Sequence, residues 1–117
     1  ATLVNYGLPV KVVILNNGYL GMVRQWQELF YNNRTCAVEL EGFPDVQKLA
    51  AAYGSTGRTV EKPHELAPAL QEAVDDPGPY LLNVRVSPCE NVFPMVPAGS
   101  GISEMVVGPP QPVLVPK

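Results

Sequence analysis

Two adjacent asparagines, Asn16 and Asn17, end the apolar run Val10–Leu15, with Gly18 and Gly21 close behind them. An asparagine side chain offers a neutral oxygen to a hard cation such as Mg²⁺, which takes near-octahedral oxygen coordination and shares it with phosphate oxygens. The glycines loosen the turn, so backbone carbonyls there could serve as further ligands. The same residues also describe a plain strand-to-helix turn, because asparagine caps helices and tolerates left-handed backbone. Spacing alone favours the turn, since Asn-Asn-Gly is unspecific without its context. Met22 and Trp26, one helical turn apart, fit a core more readily than a pocket. The single histidine, His64, lies between Pro63 and Glu65 and reads as a solvated residue at a helix start. No Ser/His/Asp arrangement, metal-binding cysteine pair or phosphate-cradling glycine loop is visible, so no catalytic residue is assigned.

A strand must carry the two amides. Val10–Leu15 is apolar except at Lys11 and rich in β-branched residues, which predicts a parallel strand covered on both faces, the most buried of its sheet. In open parallel sheets ligands bind beyond the carboxyl ends of strands, where Asn16 and Asn17 stand. Ala1–Tyr6 reads as the last turns of a helix, with Gly7 at its left-handed end and Pro9 beyond. Leu20–Asn33 predicts a helix with Met22, Trp26 and Leu29 on one face and Val23 and Phe30 alongside. Val46, Leu49, Ala50 and Tyr53 predict another, capped by Gly54.

Ser55–Val60 is a short strand candidate, and Leu66, Ala69, Leu70, Ala73 and Val74 mark a helix that stops before Pro77. Pro68 places the start of that helix late, near Leu66, or bends it early. Tyr80–Val86 predicts a strand with Tyr80, Leu82, Val84 and Val86 on its better buried face. The alternation gives an α/β fold, a partial parallel sheet with flanking helices over residues 1–86. Residues 87–117, rich in Pro and Gly, predict an extended tail without regular structure. The PxxP spacing of Pro109 and Pro112 is read as part of that composition.

The chain has 117 residues, 46% hydrophobic and 16% charged, which suits one domain with a modest core. Eight basic and eleven acidic residues, net −3, are spread along it, leaving no electrostatic footprint for nucleic acid or an anionic membrane. Cys36 and Cys89 have no metal-ligand spacing, and with no signal peptide or long apolar span they read as reduced thiols of a cytosolic-type protein. The glycosylation-type triplet Asn33-Arg34-Thr35 is read as chance.

Two longer stretches are more particular. "LPVKVVILNNGYLGMVRQWQELFY", Leu8–Tyr31, and "ENVFPMVPAGSGISEM", Glu90–Met105, resemble the C-terminal part of the large catalytic subunit of the acetohydroxyacid synthase (acetolactate synthase) family. These are thiamine-diphosphate enzymes, and the resemblance runs from Ala1 to about Val107. Gly21–Gln27 and Pro94–Pro97 carry most of its specificity. The resemblance implies that Asn17 gives its side-chain oxygen and Tyr19 its backbone carbonyl to Mg²⁺. It places Gly21 and Met22 in the cofactor site, and Met22 and Trp26 in the substrate pocket, where Trp26 helps select the second substrate. By packing, such selection is worth only about 1–3 kcal/mol.

The implied reaction decarboxylates pyruvate and joins the two-carbon unit to a second 2-oxo acid, pyruvate or 2-oxobutanoate, in branched-chain amino-acid biosynthesis. The family also uses FAD, whose site is not in this chain. It works as a homodimer or tetramer, with or without a regulatory subunit, in the cytosol or, in plants, the plastid stroma. The tail resembles the family's closing segment over the active site.

The Gly-Asp-Gly that opens the family's cofactor motif and the glutamate that activates the cofactor are missing from this sequence. The chain is therefore expected to be a C-terminal fragment of the thiamine-diphosphate-binding domain, inactive alone and partnered by the remainder of the subunit. The alternatives are another thiamine-diphosphate enzyme, such as a pyruvate oxidase or a 2-oxo acid decarboxylase, and a non-catalytic assembly module.

Overall fold

In the computed structural model, which describes residues 1–109, three strands carry the fold: β1 (Lys11–Asn16), β2 (Thr56–Val60) and β3 (Tyr80–Arg85). They form one parallel sheet in the order β1–β3–β2. The helices are α1 (Thr2–Asn5), α2 (Gly21–Phe30), α3 (Val46–Ala52) and α4 (Pro63–Asp75). The α/β class and parallel sheet read from the sequence are thus present. Among the described residues no helix is long and apolar enough to cross a membrane.

The helix ends follow local chemistry. Asp45 caps α3 by accepting hydrogen bonds from the N–H groups of Gln47 and Lys48 at 3.0 and 3.1 Å. At its other end Gly54, with φ +75°, lets Ser55 N–H reach the Ala50 carbonyl and Gly54 N–H the Ala51 carbonyl, both at 3.0 Å. Gly7 closes α1 in the same way, with Leu8 N–H donating to the Leu3 carbonyl at 2.9 Å.

Side chains alternate across a strand, so each face of β3 has its own cover. On one face Tyr80, Leu82 and Val84 pack with Val60 of β2 and with Ala69 and Ala73 of α4, all buried, and Leu66 adds to this core. On the other face α3 lies against β2 so closely that a Cβ on Gly57 would fall 2.7 Å from Ala50 Cβ and 3.0 Å from the Val46 carbonyl oxygen. Gly57→Ala is therefore expected to destabilise the chain by about 1–3 kcal/mol through overpacking, read as a lower denaturant midpoint.

At the N-terminal end of β3 the Tyr80 hydroxyl donates to Glu72 at 2.9 Å, and Arg58 pairs with the same carboxylate. The tyrosine and arginine hold Glu72 below the ordinary carboxylate range. Burial, followed by the Glu72 bond, pushes Tyr80 up to about 12.

Two expectations are corrected. Among the described strands β1 is not the most buried: it lies at an edge of the sheet and leaves apolar residues uncovered, Val13 47% and Leu15 72% exposed, while the central, most buried strand is β3. A continuous apolar run says that a strand suits two covered faces, but only position in the sheet decides which strand has them. Nor does α4 start late. It begins with Pro63 in its first turn, and the Glu65 carboxylate accepts from the Lys62 N–H at 3.1 Å. Pro68 lies within the helix on an exposed position, where water can serve the carbonyl that its missing N–H leaves free.

Residues 87–109 contain a 3₁₀ turn at Ile102–Glu104 and a bridge between Met95 and Val106. The rest of the predicted tail, with Pro112 of the PxxP spacing, lies outside the described residues.

Candidate functional site

Asn16 and Asn17 stand where β1 ends, and each folds its side chain back onto the turn it opens. Asn16 Oδ1 accepts from Gly18 N–H at 2.9 Å, and Asn17 Oδ1 accepts from Tyr19 N–H at 3.0 Å. Both are the local turns that asparagine favours, so the turn chemistry read from the sequence is real. It does not exhaust either side chain. An amide oxygen has two lone pairs, leaving Asn17 Oδ1 a further site for a donor or a cation. Asn16 is buried, and its Nδ2 has no hydrogen-bond partner.

The turn is held from outside by a short antiparallel pairing. Leu20 N–H donates to the Val38 carbonyl and Leu40 N–H to the Gly18 carbonyl, each at 2.8 Å, so Tyr19 faces Glu39 between the two bonds. In such a pair the intervening residue directs its own N–H and C=O away from the partner strand. The Tyr19 N–H goes to Asn17, which puts the Tyr19 carbonyl on the side of the turn that carries the Asn17 amide. The Tyr19 hydroxyl donates to Glu39 at 3.1 Å, and this bond and the carboxylate's charge raise its pKa above the ordinary value.

Gly21 opens α2 directly behind Asn17. A Cβ there would lie 2.9 Å from Asn17 Nδ2, so the amide occupies space that a larger residue at 21 would take. Asn17, Tyr19 and Gly21 are thus brought together.

The turn borders a cleft of about 660 Å³ across the carboxyl ends of all three strands. Its walls include Asn16 at the end of β1 and Asn17 just beyond it, Thr59 from β2, Asn83 and Arg85 from β3, and residues between Glu39 and Gln47. Asn83 is a buried amide that the sequence reading passed over. Its Nδ2 reaches Thr59 Oγ1 at 3.3 Å, while its Oδ1 has no partner. A polar residue in the middle of an otherwise apolar strand was the available signal.

Met22 and Trp26 do not line this cleft. Met22 is 54% exposed, and Trp26, edge-on to Phe30 with ring centroids 5.2 Å apart, borders a separate surface cavity with Val23, Gln27, Tyr31 and Arg34. Helix α2 instead buries two polar residues, Arg24 and Gln25. Apolar periodicity could not reveal these, because their partners Asn91 and Val92 lie far along the chain.

Among the described residues no group of three or more His, Cys, Asp or Glu side chains could hold a metal ion. The donors the turn offers are neutral oxygens, one from a side chain and one from the backbone, which suit a hard cation that also binds phosphate.

Comparison with known proteins places this geometry in context. Residues 1–84 match the family described as thiamine pyrophosphate enzyme, C-terminal TPP binding domain. The chain is 45% identical over 106 residues to the acetolactate synthase large subunit of Pyropia yezoensis, covering 90% of this chain and 18% of that protein. It is 46% identical over 114 residues to the acetolactate synthase large subunit of Parasynechococcus marenigrum (strain WH8102), covering 97% and 18%. Among solved structures it is similar to a thiamine diphosphate-dependent 4-hydroxybenzoylformate decarboxylase from Rhodococcus jostii RHA1. That match has a TM-score of 0.66 at 29% identity, covering 74% of this chain and 16% of the other. The chain spans about a fifth of the length of the curated relatives it matches.

Proposed function

The chain belongs to the thiamine pyrophosphate enzymes, whose C-terminal TPP binding domain matches residues 1–84, and from that membership we propose that it serves an acetolactate synthase as the half-clamp for the metal and diphosphate of its cofactor. The observation that carries this reading is the Asn17 amide. Its oxygen is oriented by Tyr19 N–H and keeps a free lone pair, while its nitrogen occupies the space that Gly21 leaves open beyond the carboxyl end of a parallel strand. In this role Asn17 Oδ1 and the Tyr19 carbonyl would hold Mg²⁺, and the remaining ligands would come from the diphosphate and from residues outside this chain.

Thiamine diphosphate, when bound, would supply the carbon nucleophile needed to decarboxylate pyruvate and transfer its two-carbon unit to a second 2-oxo acid. The protein's share is binding and orientation. In this reading Asn17, Tyr19 and Gly21 would position the metal-diphosphate end, Met22 and Trp26, which stand outside the strand-end cleft, would meet substrate only from the surface of α2, and residues 87–109 would cover the site and limit water. FAD, a dimeric or tetrameric assembly and a regulatory subunit belong to the proposal for the whole protein.

A second reading, a 2-oxo acid decarboxylase, is favoured by the likeness to the 4-hydroxybenzoylformate decarboxylase structure. One assay separates the two. Protein expressed from the complete gene, given pyruvate, thiamine diphosphate and Mg²⁺, is expected to yield acetolactate. Acetaldehyde as the main product would support the decarboxylase, as would untouched pyruvate with release of CO₂ from an aromatic 2-oxo acid, and turnover of neither substrate would overturn both.

A further inference from the structure

We propose that Gln25 is a positioning residue that straps the C-terminal segment to α2 and so seats that segment as the cover of the site. Gln25 is 1% exposed, although it lies on a helix whose apolar Met22, Val23 and Phe30 remain exposed. Its side-chain amide binds both backbone groups of one residue: Nε2 donates to the Val92 carbonyl and Oε1 accepts from Val92 N–H, each at 2.8 Å. This is the pairing a neighbouring strand would provide, supplied by a single side chain. Nε2 also approaches Met95 Sδ at 3.0 Å.

Apolar burial does not do this work at residue 92, because the Val92 side chain is 61% exposed. The segment is therefore held by polar geometry, which an alanine cannot replace. Arg24 extends the attachment in both directions. Its Nη2 donates to Asn91 Oδ1 at 2.9 Å, and its guanidinium lies over the Tyr19 ring, 5.5 Å from the centroid. Consecutive residues of one helical turn thus join the 91–95 segment to the turn that carries Asn17. The pairing of Met95 with Val106, through two backbone bonds of 2.8 and 2.9 Å, carries the attachment onward.

The consequence rests on the carboligase reading above. If the segment excludes water, its release should divert the two-carbon unit: a proton from water captures it as acetaldehyde in place of the second 2-oxo acid. Both outcomes consume pyruvate and release CO₂, so their ratio does not depend on how much enzyme is active.

The test uses protein expressed from the complete gene, with Gln25→Ala and Gln25→Glu. Gln25→Ala is expected to raise the ratio of acetaldehyde to acetolactate, and the exchange rate of the Val92 amide hydrogen, by about tenfold or more, as the loss of one or two buried hydrogen bonds implies. The amides of β3 should stay protected. Gln25→Glu keeps an acceptor for Val92 N–H but turns a buried carboxylate oxygen toward the Val92 carbonyl, and should raise both readouts at least as far as alanine does. If alanine at 25 also exposes β3, the glutamate variant decides the same two readouts. Unchanged Val92 exchange would overturn the strap, and faster exchange with an unchanged product ratio would overturn its covering role. If the unsubstituted protein makes no acetolactate, the carboligase reading fails, while the exchange measurement still decides the strap.

Discussion

Replacing Asn17 by alanine is expected to weaken thiamine diphosphate binding at fixed Mg²⁺ by about 100-fold, or about 2.8 kcal/mol. Loss of a residue that merely supports a metal ligand typically costs about 10–100-fold, so loss of the ligand itself belongs at or above the upper end. The substitution also frees the Tyr19 N–H that Asn17 Oδ1 accepts, so the turn loses the bond that orients it. Asn17→Asp, which retains an oxygen at that place, should keep more of the affinity than alanine. Gly21→Ala provides a control of a different kind. It leaves the ligand in the sequence but puts a Cβ 2.9 Å from Asn17 Nδ2, and should lower affinity by displacing the amide. Calorimetric titration of cofactor at several Mg²⁺ concentrations reads all three. An alanine variant with undiminished, metal-dependent affinity would remove Asn17 from the site.

Leu82→Ala is expected to cost about 2–5 kcal/mol, whereas Leu15→Ala in the same chain should change stability by no more than about 0.5 kcal/mol. Both are leucines on neighbouring parallel strands, and hydropathy does not distinguish them. Leu82 is fully buried between β1 and β2, in the core formed with α4, while Leu15 lies on the edge strand at 72% exposure. Denaturant unfolding of the two variants measures the difference directly. Equal costs would mean that β1 is covered as fully as β3.

That contrast shows what could be read from the residues alone. The existence of β1, and the place of Asn16 and Asn17 at its carboxyl end, were legible because β-branched runs and strand-end amides are local signals. So were the caps at Gly7 and Gly54, which need only a left-handed residue at a helix end. The rank of the strands was not, because β3 reaches the centre only through its pairing with both β1 and β2. The start of α4 was read two ways: His64, between Pro63 and Glu65, as a helix-start residue, which holds, and a late start near Leu66 on account of Pro68, which does not.

At the site, the resemblance named Asn17, Tyr19 and Gly21, and the structure brings these three side by side. Met22 and Trp26 came from the same resemblance, yet they stand apart from the strand-end cleft. The burial of Arg24 and Gln25 had no local signature. Each is polar on an amphipathic helix and takes its partner 67 residues away. Asn83 was visible as a polar interruption of β3, but its position in the cleft depends on the sheet order.

The most direct test is crystallographic. The protein from the complete gene would be loaded with thiamine diphosphate and Mn²⁺ in place of Mg²⁺, and the metal located by its anomalous scattering. The expected result is one peak at metal–oxygen bonding distance, about 2.0–2.2 Å on the scale of Mg²⁺ sites, from both Asn17 Oδ1 and the Tyr19 carbonyl oxygen. A bound cofactor whose metal lies away from both oxygens would contradict the assignment of this turn as half of the clamp.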